Sequence, residues 1–493
     1  MRYLSYDFFC FLLLTMLLYY LPAGCLRGER LRAGVQQGVL LLASLAFCLY
    51  AGGLPALILF CATVALGYGL GRGMTVLHRR ARGGFRARLL LAGALLLMLS
   101  PLLLVKGCSW FAGLRALLGK SLIVPVGLSF YSLQIAAYLT DCYTGRIEAE
   151  RSFPRWALFV SFFPQLVQGP IPRWAQLGPQ LRVWHKFSPE RCVSGFQRIL
   201  WGCFLKLMIA DKAAAAVDPI FAAPAQYTGW YVVLAAVLYS LQLYADFSAC
   251  VSICRGAAEL FGIRLEENFR QPYLATSIQD FWRRWHISLS SWLRDYLYVP
   301  LGGSRKGALR RDLNLLLVFL VSGLWHGNGW TFVVWGLLHA LFQLAGRHLK
   351  PLTDRLCVLL RIDRSRFGWV LLGRVRTFAL AAAAWVVFRA ASLGDALRLF
   401  KNLFADWNPW LLFGAERFSY GLSVHEWFLL LGSIGILIAV SECRERRVPL
   451  KRIFDRQWLP IRWLIYLAAI CALWVFGSYG SGFNAADFIY GGF

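Results

Sequence analysis

This 493-residue sequence lacks the common catalytic motifs. It has no G-x-S-x-G elbow, no H-E-x-x-H zinc motif and no phosphate-binding P-loop. Each of these motifs holds a nucleophile, metal ligands or phosphate-binding amides at a fixed spacing. Their absence therefore argues against the common serine hydrolases, zinc peptidases and nucleotide-hydrolysing enzymes. A direct transfer reaction, without a metal and without phosphate hydrolysis, is compatible with the absence of these motifs.

Disulfide and zinc-binding patterns are also missing. The 13 cysteines are scattered, mostly within apolar runs, and they form no C-x-x-C pair. Cys250 and Cys254 are one helical turn apart, but nearby ligand residues are lacking. We therefore expect buried, reduced cysteines, with neither a disulfide framework nor a metal site.

Negative charge is scarce, since 25 acidic residues stand against 52 basic ones and the formal net charge is +27. In a soluble protein this excess would suggest a nucleic-acid partner. Here the positive residues lie in loops between apolar runs, which is the pattern of cytoplasmic loops beside anionic lipid. The sequence predicts a lipid bilayer as partner and no nucleic acid.

Apolar residues make up 58% of the chain, and the mean hydropathy is +0.55. A helix needs about 20 residues to cross a hydrocarbon core, and uncharged runs at 8–26 and 34–71 allow one and two crossings. The first run follows a thin basic region and precedes no convincing cleavage site, so we expect a retained helix rather than a signal peptide. The sequence predicts an all-α polytopic membrane protein with about 10–12 membrane helices.

Basic loops predict the orientation in the cell membrane. The second apolar run breaks at Gly52, Gly53 and Pro55, which suits a hairpin between two basic loops. By the positive-inside rule, the cytoplasmic segments are residues 27–32, 72–88, 270–311, 347–376 and 444–462. The N-terminus, residues 401–425 and residues 480–493 are then outside.

Two segments, 121–131 and 162–172, hold Pro and Gly at membrane-like hydrophobicity. Irregular backbone at membrane depth must be buried in protein or face a water-filled cavity, so we expect re-entrant segments lining a cavity. No internal repeat is present. The simplest organisation is one domain over 1–493, with a motif-bearing core at about 120–345 and peripheral helices at 1–105 and 368–480.

The densest group of charged and aromatic residues lies at 277–307. Apolar side chains recur there at three- and four-residue steps: Ile278, Phe281, Trp282, Trp285, Leu289, Trp292, Leu293 and Tyr296. This spacing predicts an amphipathic helix at the cytoplasmic interface, with its Trp and Tyr residues toward the membrane. His286, near the polar boundary, is either an interfacial hydrogen-bonding residue or a functional one. The basic glycine loop after Pro300 contacts lipid headgroups or the phosphates of a nucleotide-bearing donor.

His326 lies in "GLWHGNGW", inside an uncharged run at 313–346 with basic loops on both sides. The run must enter the membrane and return, which places His326 at the turn or deep in a cavity. An ionisable residue in a membrane is a functional candidate by default, and a neutral imidazole beside a hydroxyl can act as general base. The alternative is a neutral histidine bonded to a backbone carbonyl. His339, in the same run, is more consistent with a structural role.

Asp246, in "YADFSAC", is a carboxylate without a basic neighbour in sequence. A buried aspartate needs a partner. It could orient a histidine, bind substrate hydroxyls, or hydrogen-bond between helices.

"FWRRWHISLSSWLRDYLYVPLGG", followed by "GLWHGNGW" and "WGLLHA", resembles the membrane-bound O-acyltransferase superfamily, in particular its bacterial alginate O-acetyltransferase-like branch. "PVGLSFYSLQIAAYLTDCYTGR", "SFFPQLVQGPIPR", "ENFRQPYLATSIQDFW" and the terminal "FIY" are similar to that branch too. The sequence departs from it in "YADFSAC", where Ala245 and Cys250 replace larger residues, and at Asn328 and Gly329.

The resemblance implies a helical bundle with re-entrant segments around a central funnel. It also implies transfer of an acyl group from a cytoplasmic thioester to a hydroxyl acceptor. His326 would be the general base and His286 the second catalytic histidine. The candidate substrate-binding residues would be Asp246, Trp285, Arg284, Trp325 and Asn328.

The resemblance leaves three functions open. The first is O-acylation, above all O-acetylation, of an extracellular polysaccharide or cell-wall glycan. The second is D-alanyl transfer from a carrier protein to teichoic acid. The third is an acyl relay across the membrane to a separate, secreted esterase-like transferase. No bound cofactor or metal is expected, and acetyl-CoA or an acyl carrier would be the thioester co-substrate.

Overall fold

The computed structural model describes residues 4–80, 84–107, 125–407 and 421–479. Within these ranges the chain forms helices and no strand, which confirms the all-α prediction. Predictions made for residues 121–124, for residues 408–420 and for the terminal segment 480–493 with its "FIY" lie outside the described residues.

The described residues divide into two compact units, Met1–Ile199 with Cys250–Glu267, and Leu200–Ala249 with Asn268–Gly492. The helices of the first unit are α1 (Tyr6–Cys25), α2 (Glu29–Arg80), α3 (Phe85–Gly107), α4 (Leu128–Thr144), α5 (Phe153–Ser161), α6 (Phe163–Leu166), α7 (Trp174–Arg182) and most of α8 (Pro189–Phe204). It also contains the end of α10 (Trp230–Leu260), whose first part belongs to the second unit.

The other helices of the second unit are α9 (Asp211–Ala222), α11 (Ile278–Arg284), α12 (Ile287–Leu293), α13 (Ala308–His326), α14 (Trp330–His348), α15 (Lys350–Leu359), α16 (Phe367–Arg389), α17 (Leu393–Asn402), α18 (Val424–Glu445), α19 (Leu450–Asp455) and α20 (Leu459–Phe476). Two π-helical turns, Leu205–Ala210 and Arg294–Tyr298, and a 3-10 turn, Pro272–Leu274, complete the unit.

Seven described helices are long and apolar enough to cross a membrane, namely α1, α2, α3, α10, α16, α18 and α20. The chain is therefore a multi-pass membrane protein. Exposed surfaces of these helices carry Leu, Ile and Phe side chains, as expected where helices meet lipid. Cys10, Cys25, Cys61 and Cys471 are exposed on them, so the expectation that the cysteines are buried is wrong for these four.

Helix α2 has 52 residues and a break at Gly53, where φ is 74° and ψ is 175°. This left-handed backbone favours glycine, and Pro55 follows it. At about 1.5 Å per residue, each half is about 36–40 Å long and could cross a membrane by itself. The predicted break in this apolar run is confirmed.

The irregular segment 162–172 is almost wholly buried within the first unit. The four-residue helix α6 lies in it, and the backbone N–H of Phe163 donates to the hydroxyl of Ser44 at 3.1 Å. Burial in protein is what irregular backbone requires at membrane depth, as the sequence predicted.

The apolar run 313–346 forms a helical hairpin from α13 and α14, joined at Gly327–Gly329. The two helices approach closely at Gly323 and Gly336, where an added Cβ would overlap a backbone carbonyl of the opposite helix. The predicted reversal of the chain within this run is confirmed, whereas its passage through the membrane stays a prediction, and the hairpin places His326 at the last residue of α13.

Candidate active site

The segment predicted as one amphipathic helix is broken at Trp285 and His286, so that prediction is wrong. Helix α11 ends at Arg284, Trp285 has extended backbone, and His286 has φ 44° and ψ 54° before α12 begins. A left-handed conformation in a non-glycine residue costs about 1–3 kcal/mol and persists only when the surroundings enforce it.

Asn268 enforces this turn. Its backbone carbonyl accepts a hydrogen bond from the N–H of Ile287 at 3.0 Å, and its side-chain oxygen accepts one from the N–H of Ser288 at 3.1 Å. The carbonyl of Arg284 accepts from the N–H of Arg270 at 3.0 Å. Because these bonds take up amides near the start of α12, the backbone turns and the His286 side chain points into the protein.

Several apolar side chains of this segment face the protein interior as a result. Phe281, Trp285 and Leu289 are each 1% exposed, which corrects the expectation that the apolar side of this segment faces the membrane. Trp285 stacks on Phe281 with ring centroids 5.4 Å apart and contacts Trp385 at 5.0 Å. Trp285 is thus part of the aromatic core beneath the site.

His286 is 1% exposed and packs edge-to-face against Phe247, with ring centroids 4.8 Å apart. Burial lowers the pKa of His286 to about 3, because a charged imidazolium is poorly solvated there. At neutral pH its ring is therefore uncharged.

His326 is 2% exposed and lies in an aromatic shell formed by Trp325, Trp335 and Phe388, at centroid distances of 4.8, 5.1 and 5.6 Å. Trp325 also contacts the ring of His286 at 6.0 Å. The structure thus brings the two predicted histidines to one indole ring, although they are 40 residues apart in sequence.

A cavity of about 450 Å³ lies beside this cluster. Its lining includes three arginines, Arg283, Arg294 and Arg347. It also includes the half-buried Trp282 and the buried Phe319 and Ser322. Ser322 is 1% exposed, and its hydroxyl has no hydrogen-bond partner among the described residues. Since Ser322 precedes His326 by four residues on α13, the cavity reaches to within one helical turn of the candidate base.

The charges of the three arginines are balanced to different degrees. Arg347 pairs with Asp312 at 2.6 Å, and Arg294 pairs with Asp295 at 2.8 Å. Arg283 is exposed and makes no ion pair within the described part of the chain. The cavity wall is therefore basic and suited to an anionic group.

Asp246 lies in a buried ion-pair cluster. Lys206 donates from Nζ to Asp246 at 2.7 Å and also pairs with Asp211 at 2.9 Å, and all three side chains are nearly inaccessible. Lys206 lies in the π-helical turn Leu205–Ala210. The partner that a buried Asp246 requires is thus a lysine.

Two further predicted residues lie apart from this cavity. Arg284 pairs with Asp280 at 3.0 Å and with Glu445 at 2.7 Å, and the described cavity lining contains its neighbour Arg283 instead. Asn328 is exposed in the turn between α13 and α14. Their proposed substrate contacts stay predictions.

Sequence reasoning did not single out Asn268, Ser322 or Lys206. Lys206 was detectable, because an isolated lysine in the apolar stretch "GCFLKLMIA" needs a buried acid such as Asp246. Asn268 and Ser322 carry no such local signal. No group of three or more His, Cys, Asp or Glu side chains in the described residues is arranged to hold a metal ion.

Residues 146–370 match the membrane-bound O-acyltransferase family. The chain is 38% identical over 302 residues to a probable alginate O-acetylase of Pseudomonas putida, covering 60% of this chain and 59% of that protein. It is 36% identical over 308 residues to a peptidoglycan O-acetyltransferase of Helicobacter pylori, covering 57% of each. It is also 26% identical over 351 residues to a teichoic acid D-alanyltransferase of Bacillus subtilis, covering 68% of this chain and 86% of that protein. The chain thus spans less than two thirds of the length of the alginate and peptidoglycan relatives.

Proposed function

Because residues 146–370 match the membrane-bound O-acyltransferase family, we propose that this protein transfers an acyl group, acetyl above all, from a cytoplasmic thioester to hydroxyls of an extracellular glycan. One observation carries the proposal. A basic cavity extends along the α13–α14 hairpin to within one turn of His326, which is buried.

The donor is proposed to enter from the basic end of the hairpin. Helix α13 begins after a basic loop, and α14 ends at Arg347 and His348, so the positive-inside rule supports a cytoplasmic position for both ends. Nineteen residues span about 28 Å, close to the thickness of a hydrocarbon core. His326 then lies near the outer end, where an extracellular hydroxyl would arrive. The same rule supports an N-terminus outside.

A thioester of coenzyme A or of a carrier-bound phosphopantetheine fits this cavity chemically. Its phosphates would lie near Arg283 and Arg294, since arginine forks bind phosphate oxygens in pairs. Its pantetheine arm would follow Leu315 and Val318 on α13. The buried hydroxyl of Ser322 offers a hydrogen bond near the thioester end.

In the proposed reaction, a ring nitrogen of His326 accepts the proton of the acceptor hydroxyl. The oxygen attacks the thioester carbonyl, the carbon–sulfur bond breaks, and the thiolate leaves. The imidazolium of His326 then gives its proton to the thiolate, so the products are an ester and a thiol. His286, neutral and in contact with Trp325, would position the reacting groups.

One of the two alternatives rests on a specific observation. D-alanyl transfer is supported by the teichoic acid D-alanyltransferase relative, of which the matched region covers 86%. Relay to a secreted transferase has no specific observation in its favour and stays a prediction from the sequence. Acetyl transfer is favoured because the acetylating relatives are 36–38% identical to this chain, against 26% for the D-alanylating one.

The test is the ester content of surface glycans, released by mild base and identified by mass spectrometry, in wild type, a deletion strain and His326→Ala. Loss of acetate in both mutants, with normal abundance of the variant protein, supports the proposal. Loss of D-alanine instead would support the teichoic acid alternative, and unchanged esters would overturn acyl transfer. Transfer by the purified protein to a glycan without any partner would exclude the relay.

A further inference from the structure

A hydrogen bond outside the two-histidine site fixes one wall of the cavity. Trp282 lines the cavity, and its indole N–H donates to Nδ1 of His339 at 3.2 Å. His339 is 0% exposed, and its ring packs against Trp335 and Trp385 at centroid distances of 5.2 and 5.8 Å. Because Nδ1 accepts this bond, the proton of neutral His339 is on Nε2.

Trp282 is held from other sides as well. Its ring contacts Phe319 at 5.1 Å and Trp335 at 5.9 Å, both edge-to-face. Trp335 in turn contacts the ring of His326 at 5.1 Å. The indole therefore stands between the cavity and the aromatic layer that surrounds His326, and the surrounding rings together with His339 leave it little room to rotate.

We propose that Trp282 determines the length of the acyl chain that the cavity accepts and that His339 is the positioning residue that holds it. This inference rests on the proposed function, because it concerns the thioester donor of that reaction. When the reacting carbonyl lies near Ser322 and His326, the acyl tail must use the space beside Trp282 and Phe319. A two-carbon tail needs almost none of that space, whereas a six-carbon tail would overlap the indole.

The role of His339 follows from the chemistry of the indole. An indole N–H in an apolar ring cluster must have an acceptor, and a buried aliphatic residue at position 339 would offer none. Without the bond, Trp282 would turn toward another acceptor or toward water in the cavity, and the wall would change shape. Gln at position 339 can still present an acceptor oxygen, whereas Leu cannot.

The experiment uses inside-out membrane vesicles that contain the full chain and the native glycan acceptor. Isotope-labelled acetyl-CoA and hexanoyl-CoA are supplied in separate reactions, and base-labile glycan esters are measured. We expect Trp282→Ala to raise the hexanoyl-to-acetyl rate ratio by about tenfold or more, since one methylene in an apolar pocket is worth about 10–200-fold. Trp282→Phe, which replaces the indole by a smaller aromatic ring, should raise the hexanoyl-to-acetyl rate ratio less.

His339→Leu should raise the KM for acetyl-CoA and move the ratio in the same direction, whereas His339→Gln should stay close to wild type. The matched control is Trp292→Ala, the same substitution on α12 outside the described cavity lining. A loss of folded protein lowers both rates equally and leaves the ratio unchanged, so the ratio reports selectivity rather than stability.

The outcomes separate the two proposals. If wild type transfers acetyl and the ratio is the same in Trp282→Ala, Trp282→Phe and wild type, the inference is overturned while the proposed function stands. If folded wild type transfers neither group from coenzyme A or from a phosphopantetheine carrier, the proposed function fails. Equal effects of His339→Gln and His339→Leu would overturn the positioning role of His339.

Discussion

Replacing different members of the buried cluster of Lys206, Asp246 and Asp211 should lower the stability of the protein by different amounts. Lys206→Met leaves two buried carboxylates without their shared cation, whereas Asp246→Asn leaves Lys206 paired with Asp211 at 2.9 Å. Breaking a buried ion pair by removing one partner costs about 3–5 kcal/mol. We therefore expect Lys206→Met to lower the free energy of unfolding by about 3–5 kcal/mol. Asp246→Asn, which keeps an acceptor oxygen, should lower it by about 1–3 kcal/mol.

The assay is equilibrium unfolding of the purified full chain in mixed micelles, with increasing mole fraction of dodecyl sulfate. Lys212→Met is the matched control, because Lys212 is equally buried but lies 3.8 Å from a half-exposed carboxylate, that of Glu426. Lys212 makes no ion pair as short as the two of Lys206, so its removal should cost less than that of Lys206. The same variants are assayed for ester formation.

Two results would refute this reasoning. One is a larger loss of stability in Asp246→Asn than in Lys206→Met. The other is full stability with no ester formation in Asp246→Asn, which would return Asp246 to the substrate contacts that the sequence predicted. The double variant Lys206→Met with Asp246→Asn should not recover wild-type stability, because Asp211 then stays unpaired.

Asn268→Ala removes the acceptor of the Ser288 N–H and should cost about 1–3 kcal/mol and lower kcat, as ester formation per folded protein would show. Hydrogen bonding from Arg311, followed by that from His348 and Arg347, lowers the pKa of Asp312 to about 2. The contribution of Asp312 to the free energy of unfolding is therefore present above about pH 4 and is lost as the pH falls towards about 2. The difference in stability between wild type and Asp312→Asn should vanish over that range. Gly323→Ala puts a Cβ against the carbonyl of Phe332 and should separate α13 from α14. We expect this variant to lose both thermal stability and activity. Gly346→Ala, with open space around the new Cβ, should change neither.

Local patterns predicted several features of the site correctly. An uncharged run between basic loops was enough to predict a hairpin with a buried histidine at position 326, since only apolar residues are stable against lipid. The break at Gly53 was predictable because glycine and proline act on their own backbone. In each case the cause lies within a few residues of the effect.

The turn at His286 has a non-local cause, which the local sequence pattern does not indicate. Apolar side chains recur at helical steps on both sides of Trp285 and His286, so periodicity alone indicates a continuous helix. The break depends on Asn268, which acts from an irregular segment almost twenty residues earlier. The same holds for Lys206 and Asp246, which are 40 residues apart, because a pairing at that distance is decided by helix packing.

The chemistry of a thioester predicts different roles for the two histidines in acyl transfer. A thiolate is a good leaving group, because thiols have a pKa of about 8.5, so breaking a thioester needs no separate acid. One base that takes the hydroxyl proton and returns it to sulfur is sufficient, and His326 near the end of the cavity meets that need. His286 is uncharged at neutral pH and contacts Trp325, which is consistent with a positioning role rather than with proton transfer. His286→Gln, which keeps a neutral polar side chain, should therefore retain a measurable kcat, whereas His326→Gln should lose about 10²–10⁴-fold. Comparable losses in two well-folded variants would show that both rings carry protons and that a two-histidine relay operates instead.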